Sequence, residues 1–74
     1  MRVVDNKFLT NREKDVVLLI LQGKNKRDIA KILCISVSTV KAVVENIYNK
    51  FDVHNKVELA VFLIKNNIVD LEDG

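Results

Sequence analysis

Ser36–Phe51, SVSTVKAVVENIYNKF, is the stretch on which the fold turns. At about 100° per residue, Val40, Val43, Val44, Ile47 and Phe51 share one arc, and Lys41, Ala42, Glu45, Asn46 and Asn49 share the opposite one. The first arc is a core face. The second lacks the Glu/Lys pairs of a plain solvated helix and carries short or edge-presenting groups instead. Asn and Glu can pair with base edges, Ala can meet a thymine methyl, and Lys can reach guanine or phosphate. The stretch therefore predicts a helix that enters the DNA major groove, with an ordinary solvated face as the competing reading.

Immediately upstream, Cys34-Ile35 reads as a tight turn and Ser36 as the cap of the central helix. A short helix precedes the turn, from about Lys26 to Leu33, with Asn25 as its cap and Asp28 in the first turn, favourable to the helix dipole. Ile29, Ile32 and Leu33 are expected to form its buried stripe, and Ala30 a small contact point for a crossing helix. Two helices about three residues apart, the second with a polar outer face, make a helix-turn-helix. Many helical domains share that outline, so the chemistry of the outer face carries more weight than the topology.

Further upstream, Thr10-x-x-Glu13 forms a capping box. The apolar run Val16–Leu21 could by composition be a strand, but the box in front and Gly23 behind predict a helix over Asn11–Gln22. Met1–Phe8 has mixed polarity and no helical period, so 1–8 is expected to be a flexible lead-in. Downstream, Asp52–His54 connects to a fourth helix over about 56–66, opened by Asn55-x-x-Glu58. That helix is apolar over too wide an arc: Leu59, Ala60 and Leu63 on one flank, Val57, Val61 and Ile64 beside them, and Phe62 on the polar side with Glu58. One stripe suffices for a surface helix, so the surplus predicts a partner, most economically a second copy. Ile68, Val69 and Leu71 are expected to fold back, and 70–74 to fray.

Size and composition agree with this plan. Seventy-four residues hold one small domain. A composition 49% hydrophobic, with no Pro and two Gly, favours an all-α bundle. So short a chain leaves little room for a catalytic cleft, and no nucleophile, base and oxyanion donors converge, so no enzymatic activity is expected. The single Cys34 has no internal partner and no second ligand at metal spacing, and is read as a small core residue. His54 reads as a loop residue and Tyr48 as a packing residue. The longest apolar run is too short to span a bilayer and no signal peptide follows Met1, which removes membrane readings and makes a cytoplasmic setting the default. Residues 1–56 carry 11 Lys+Arg against 6 Asp+Glu, and 57–74 carry 1 against 4. The basic charge lies with the proposed reading helix.

LTNREKDVVLLILQGKNKRDIAKILCISVSTVKAVVENIYNKFDV, Leu9–Val53, resembles the four-helix DNA-binding domain of the LuxR/GerE type, found at the C-terminus of NarL/FixJ response regulators and of quorum-sensing regulators. The resemblance rests on Leu9-Thr10-x-Arg12-Glu13, Val16, Gly23, Ile29-Ala30, Leu33, Ile35-Ser36, Thr39-Val40-Lys41, Ile47, Lys50 and Val53, and extends into the fourth helix. It implies a domain over 9–69. Lys41, Ala42 and Glu45 align with positions that face base edges, Asn25, Lys26, Ser38 and Thr39 with positions near the sugar-phosphate backbone, and the fourth helix with a dimer contact. Departures are Val43 where His is common, Phe51 where Leu is typical, and Lys56 where Arg is usual, which loses a bidentate fork. Glu45 stands where a cation often serves, and Leu18 and Phe62 where relatives carry charge.

The expectation is thus an all-α, winged-less four-helix domain that binds double-stranded DNA as a homodimer on inverted-repeat half-sites about one helical turn apart. Lys41, Ala42, Glu45, Asn46 and Asn49 are the base-reading candidates. Asn25, Lys26, Ser38, Thr39 and Lys50 are the backbone candidates, with Arg27 exposed beside them. Val57, Val61, Phe62 and Ile64 are the dimer candidates. No cofactor or metal is expected, and the chain should associate with the nucleoid when bound. The alternative is an interaction module that docks a receiver domain or an RNA polymerase subunit through Leu18, Phe62 and the fourth helix. A weaker third option is a promoter-reading piece of a sigma-like factor.

Overall fold

The computed structural model describes residues 2–3 and 8–70. Four helices carry the fold: α1 (Asn11–Leu21), α2 (Lys26–Leu33), α3 (Val37–Phe51) and α4 (Lys56–Lys65). Each opens on a polar side chain that accepts the amide of the third helical residue, from Thr10, Asn25, Ser36 and Asn55 respectively. At α1 the box is reciprocal, with the Glu13 amide donating to Thr10 Oγ1 at 3.1 Å and the Thr10 amide donating to Glu13 Oε1 at 2.9 Å. At α4 it is displaced by one residue, because Glu58 Oε1 accepts from the His54 amide at 2.8 Å rather than from Asn55.

The helix ends repeat one device. Gly23, Cys34, Asp52 and Asn67 all adopt positive φ, at 88°, 57°, 54° and 57°. After each, the next amide reaches back to the helix: Lys24 to the Leu19 carbonyl, Ile35 to Ala30, Val53 to Tyr48 and Ile68 to Leu63, at 2.9 to 3.0 Å. Only the first stop is a glycine. At the other three an apolar residue follows the left-handed one, and Val53 and Ile68 are buried. Their insertion offsets the backbone strain of a side chain in that region.

That geometry corrects the reading of Cys34. It is exposed, not a core residue, since a left-handed stop at the end of α2 turns its side chain out of the bundle and sends Ile35 inward instead. Ile32 is likewise 51% exposed. The buried side of α2 is formed by Ile29 and Ala30, with Leu33 partly buried, and Ile32 sits too far round an eight-residue helix to reach it. Ala30 is the close-contact point expected, 6% exposed where α2 packs on α3.

The core is contiguous. Val16, Val17, Val40, Ile47, Leu59 and Leu63 have no exposed surface, and Leu9, Ile29, Phe51, Val53 and Ile68 close around them. Beside the helices lies one short antiparallel ladder, β1 (Arg2–Val3) with β2 (Val69–Asp70), Val3 opposite Val69. The lead-in is therefore not structureless throughout. Val69 is drawn into the core, its backbone needs partners there, and β1 supplies them. Asp70 belongs to the ladder rather than to a frayed end. The remainder of the expected lead-in and tail, 4–7 and 71–74, lies outside the described residues.

Candidate nucleic-acid interface

The turn between α2 and α3 fixes which face of α3 looks outward. Ser36 Oγ accepts the Thr39 amide at 3.1 Å and shares a 2.8 Å hydrogen bond with the Thr39 hydroxyl, so the first turn of α3 is clamped from its own sequence. Val40 and Ile47 are fully buried and Val44 is 7% exposed. With that side held in the core, Lys41, Ala42, Glu45, Asn46 and Asn49 all emerge exposed on the other. The five base-reading candidates thus form one outward surface. Ser38 and Thr39 are exposed at the start of α3, and Asn25 and Lys26 at the start of α2. The carbonyl oxygen of the Asn25 side chain accepts the Asp28 amide at 2.8 Å, which leaves its amide nitrogen as the group to offer outward.

Two shallow hollows join the two sets. One, about 410 Å³, is lined by Lys26, Lys41, Glu45, Tyr48, Asn49 and His54 among others. The other, also about 410 Å³, is lined by Asn25, Lys26, Arg27, Val37 and Lys41. Lys26 and Lys41, from different helices and different predicted roles, border both. Ala42, Asn46, Ser38 and Thr39 line neither hollow.

Tyr48, His54 and Val37 were not among the candidates. Tyr48 is half-buried, and burial pushes its phenol above the ordinary range, so it stays protonated and able to donate. Its place at the edge of the buried arc was the signal for a residue that borders both the core and the hollow.

Lys50, a candidate for the DNA backbone, is engaged within the chain. Its ammonium donates to Glu13 Oε1 at 2.6 Å and to the Phe8 carbonyl at 2.8 Å. It ties the end of α3 to the start of α1, and its charge is matched by a carboxylate that is nearly buried. Burial raises the Glu13 carboxyl, but the hydrogen bonds from Lys50 and Thr10 and the charge of Lys50 outweigh it and hold the group below the ordinary glutamate range.

Phe62 also leaves its expected set. Its ring stacks on Phe51, with centroids 4.7 Å apart and planes at 25°. The side of α4 that looks polar in sequence faces the end of α3, and the two aromatic departures from the family pattern prove to be one contact. Leu18 is half-buried on α1. The other dimer candidates do form a strip: Val57 is 70%, Val61 48% and Ile64 43% exposed along α4, while Leu59 and Leu63 fill the core behind them. No helix among the described residues is long and apolar enough to cross a membrane.

Comparison with known proteins agrees with this fold. The sequence pattern described as "Bacterial regulatory proteins, luxR family" matches residues 7–63. The transcriptional regulatory protein LiaR of Bacillus subtilis (strain 168) is 37% identical over 62 residues, 84% of this chain and 29% of LiaR. The uncharacterized transcriptional regulatory protein YhcZ of the same organism is 43% identical over 60 residues, 81% of this chain and 28% of YhcZ. The response regulator protein VraR of Staphylococcus aureus (strain NCTC 8325 / PS 47) is 32% identical over 62 residues, 84% of this chain and 30% of VraR. The chain thus spans less than a third of the length of these relatives. Among solved structures, that of the transcription factor GerE superposes with a TM-score of 0.79 at 25% identity, covering 90% of this chain and all of GerE. With this family match and these relatives, the chain belongs to the LuxR family of bacterial regulatory proteins, whose helix-turn-helix is a DNA-binding domain rather than an enzyme.

Proposed function

We propose that this domain recognises specific sequences in double-stranded DNA as a symmetric homodimer, within a cytoplasmic transcriptional regulator of the response-regulator kind. The observation that carries the reading is the outer face of α3, where Lys41, Ala42, Glu45, Asn46 and Asn49 are all exposed above a fully buried Val40 and Ile47. Lys41, Glu45, Asn46 and Asn49 present hydrogen-bonding groups to base edges, and Ala42 a methyl-sized apolar contact. Asn25, Lys26, Ser38 and Thr39 hold phosphates at the starts of α2 and α3 and set the orientation. Lys50 is omitted, since both its hydrogen bonds are internal.

Val57, Val61 and Ile64 meet the same residues of a second copy across a two-fold axis, so the pair reads an inverted repeat with half-sites about one helical turn apart. Selection of bound fragments from a random duplex pool tests the sequence preference. Lys41→Ala then weakens the selected site by about 1 to 3 kcal/mol relative to a scrambled duplex, whereas Lys26→Ala weakens both alike. Equal losses from both substitutions on both duplexes would refute the division of roles.

The exposed α4 strip supports a second reading, in which it docks a receiver domain or an RNA polymerase subunit. Salt separates the two, because DNA affinity falls steeply as salt rises and apolar docking does not.

A further inference from the structure

A third hollow, about 210 Å³, lies beside the reading face, and three lysines from three different segments line it. Lys24 comes from the loop after α1, Lys26 from the first turn of α2 and Lys56 from the first turn of α4. Its floor is apolar, built from Ile20, Ile29 and Val44, and Tyr48 stands in the wall. No carboxylate lines it. Like charges gathered over low-dielectric ground repel one another, and nothing in the lining neutralises them.

We infer that Lys24, Lys56 and Tyr48, together with Lys26, form a seat for a phosphate of the DNA backbone, extending the contact beyond the helix-turn-helix to the start of α4. The inference rests on the duplex-binding reading above. Position supports it: Lys26 and Tyr48 also border the groove that contains Lys41, Glu45 and Asn49, so a strand whose bases meet α3 passes its phosphates along this edge. Chemistry supports it as well. Three ammonium groups and a phenol are all donors to an anion, and burial keeps the phenol protonated. None of the ammoniums has a carboxylate to bind within the hollow, and Lys24 and Lys56 lie outside the hollow that holds Lys41, Glu45 and Asn49. The seat therefore contributes affinity without sequence preference.

The test is the salt dependence of duplex binding, followed by fluorescence anisotropy with the whole chain. Each phosphate neutralised contributes about 0.9 to the slope of log K against log salt. The double variant Lys24→Gln/Lys56→Gln, which weakens one seat in each of two half-sites, is expected to lose up to about 1.8 from that slope, with the ratio of selected to scrambled affinity unchanged. Lys24→Arg/Lys56→Arg keeps the wild-type slope. Lys31→Gln/Lys65→Gln removes two charges from exposed positions outside the hollow and also keeps it. Tyr48→Phe weakens both duplexes equally, and ethylation of one backbone phosphate per half-site ceases to interfere in the double glutamine variant. Thermal melts of all variants confirm folding. If the Lys24/Lys56 variant loses no more slope than the Lys31/Lys65 variant, the seat is refuted while duplex recognition by α3 stands. If the unmodified chain binds no duplex at low salt, the duplex reading falls and the seat with it.

Discussion

Replacing Lys50 by methionine separates two roles that a cation at the end of a reading helix can have. Lys50→Met keeps the length of the side chain and removes the donors to Glu13 Oε1 and to the Phe8 carbonyl. An exposed ion pair contributes about 0 to 1 kcal/mol, and breaking a buried one costs about 3 to 5 kcal/mol. This pair lies between those limits, with side chains 36% exposed for Lys50 and 9% for Glu13, and the Thr10 amide remains on the carboxylate. Solvent screening at the lysine end brings the expected loss to about 2 kcal/mol. For a domain of this size that lowers the melting temperature by about 8 to 16 °C.

The pH dependence follows from the direction of the Glu13 shift. In the unmodified protein the folded-state carboxyl lies below its unfolded value, so the pair's stabilisation is complete above the unfolded value and is lost as pH falls through the folded one. Without Lys50 two of the influences that lower the carboxyl are gone while burial and the Thr10 hydrogen bonds remain, so its folded-state value moves up and less stability is lost to acid. The stability gap between the two proteins is therefore widest above the unfolded value and narrows as pH falls through the folded one. Urea unfolding at neutral and acidic pH measures it. The salt slope of DNA binding should not change, because no phosphate contact has been lost. A stability gap under about 0.5 kcal/mol, or one unaltered by acid, or a shallower salt slope, would each contradict the internal role.

Other outcomes are equally direct. Val61→Glu places a charge in the exposed α4 strip, 48% exposed in the single chain; sedimentation should show concentration-dependent association in the parent and none in the variant, with the melting temperature nearly unchanged. Gly23→Ala meets no atom within 4 Å of the added Cβ, so its cost is that of a side chain at φ +88° alone, about 1 to 2 kcal/mol by denaturant unfolding. Cys34→Gly runs in the opposite sense, gaining up to about 1 kcal/mol as the left-handed stop is relieved.

The starts of the helices were legible in sequence because each is written in local chemistry. Thr10, Asn25, Ser36 and Asn55 cap the amides that their spacing predicts, and Gly23 marks the first stop. The outer face of α3 was legible for the same reason, since periodicity alone divides it from the core. The later stops were not. Asp52 and Asn67 are residue types that tolerate the left-handed region, but only the apolar residue that packs after each makes them stops, and Cys34 carries no such mark. The internal bonds of Lys50 were not legible because its partner Glu13 lies 37 residues away and is already engaged in a capping box. Phe62 was placed on a polar arc because an isolated wheel does not know that Phe51 waits opposite it. The lysines of the third hollow lie in three segments that only the fold assembles.

Phe51 ends α3 and Phe62 sits one residue from Val61 on α4, so the stacked rings couple the exposed apolar strip to the far end of the reading helix. In the proposed pair joined through α4, that coupling would act as a strut. The angle between the two reading helices would then be set at the strip, and the pair would measure the separation of its half-sites as a ruler does. One base pair inserted between them would turn the second half-site by about a tenth of a helical turn, and stiffly mounted helices could follow that rotation only by parting the rings.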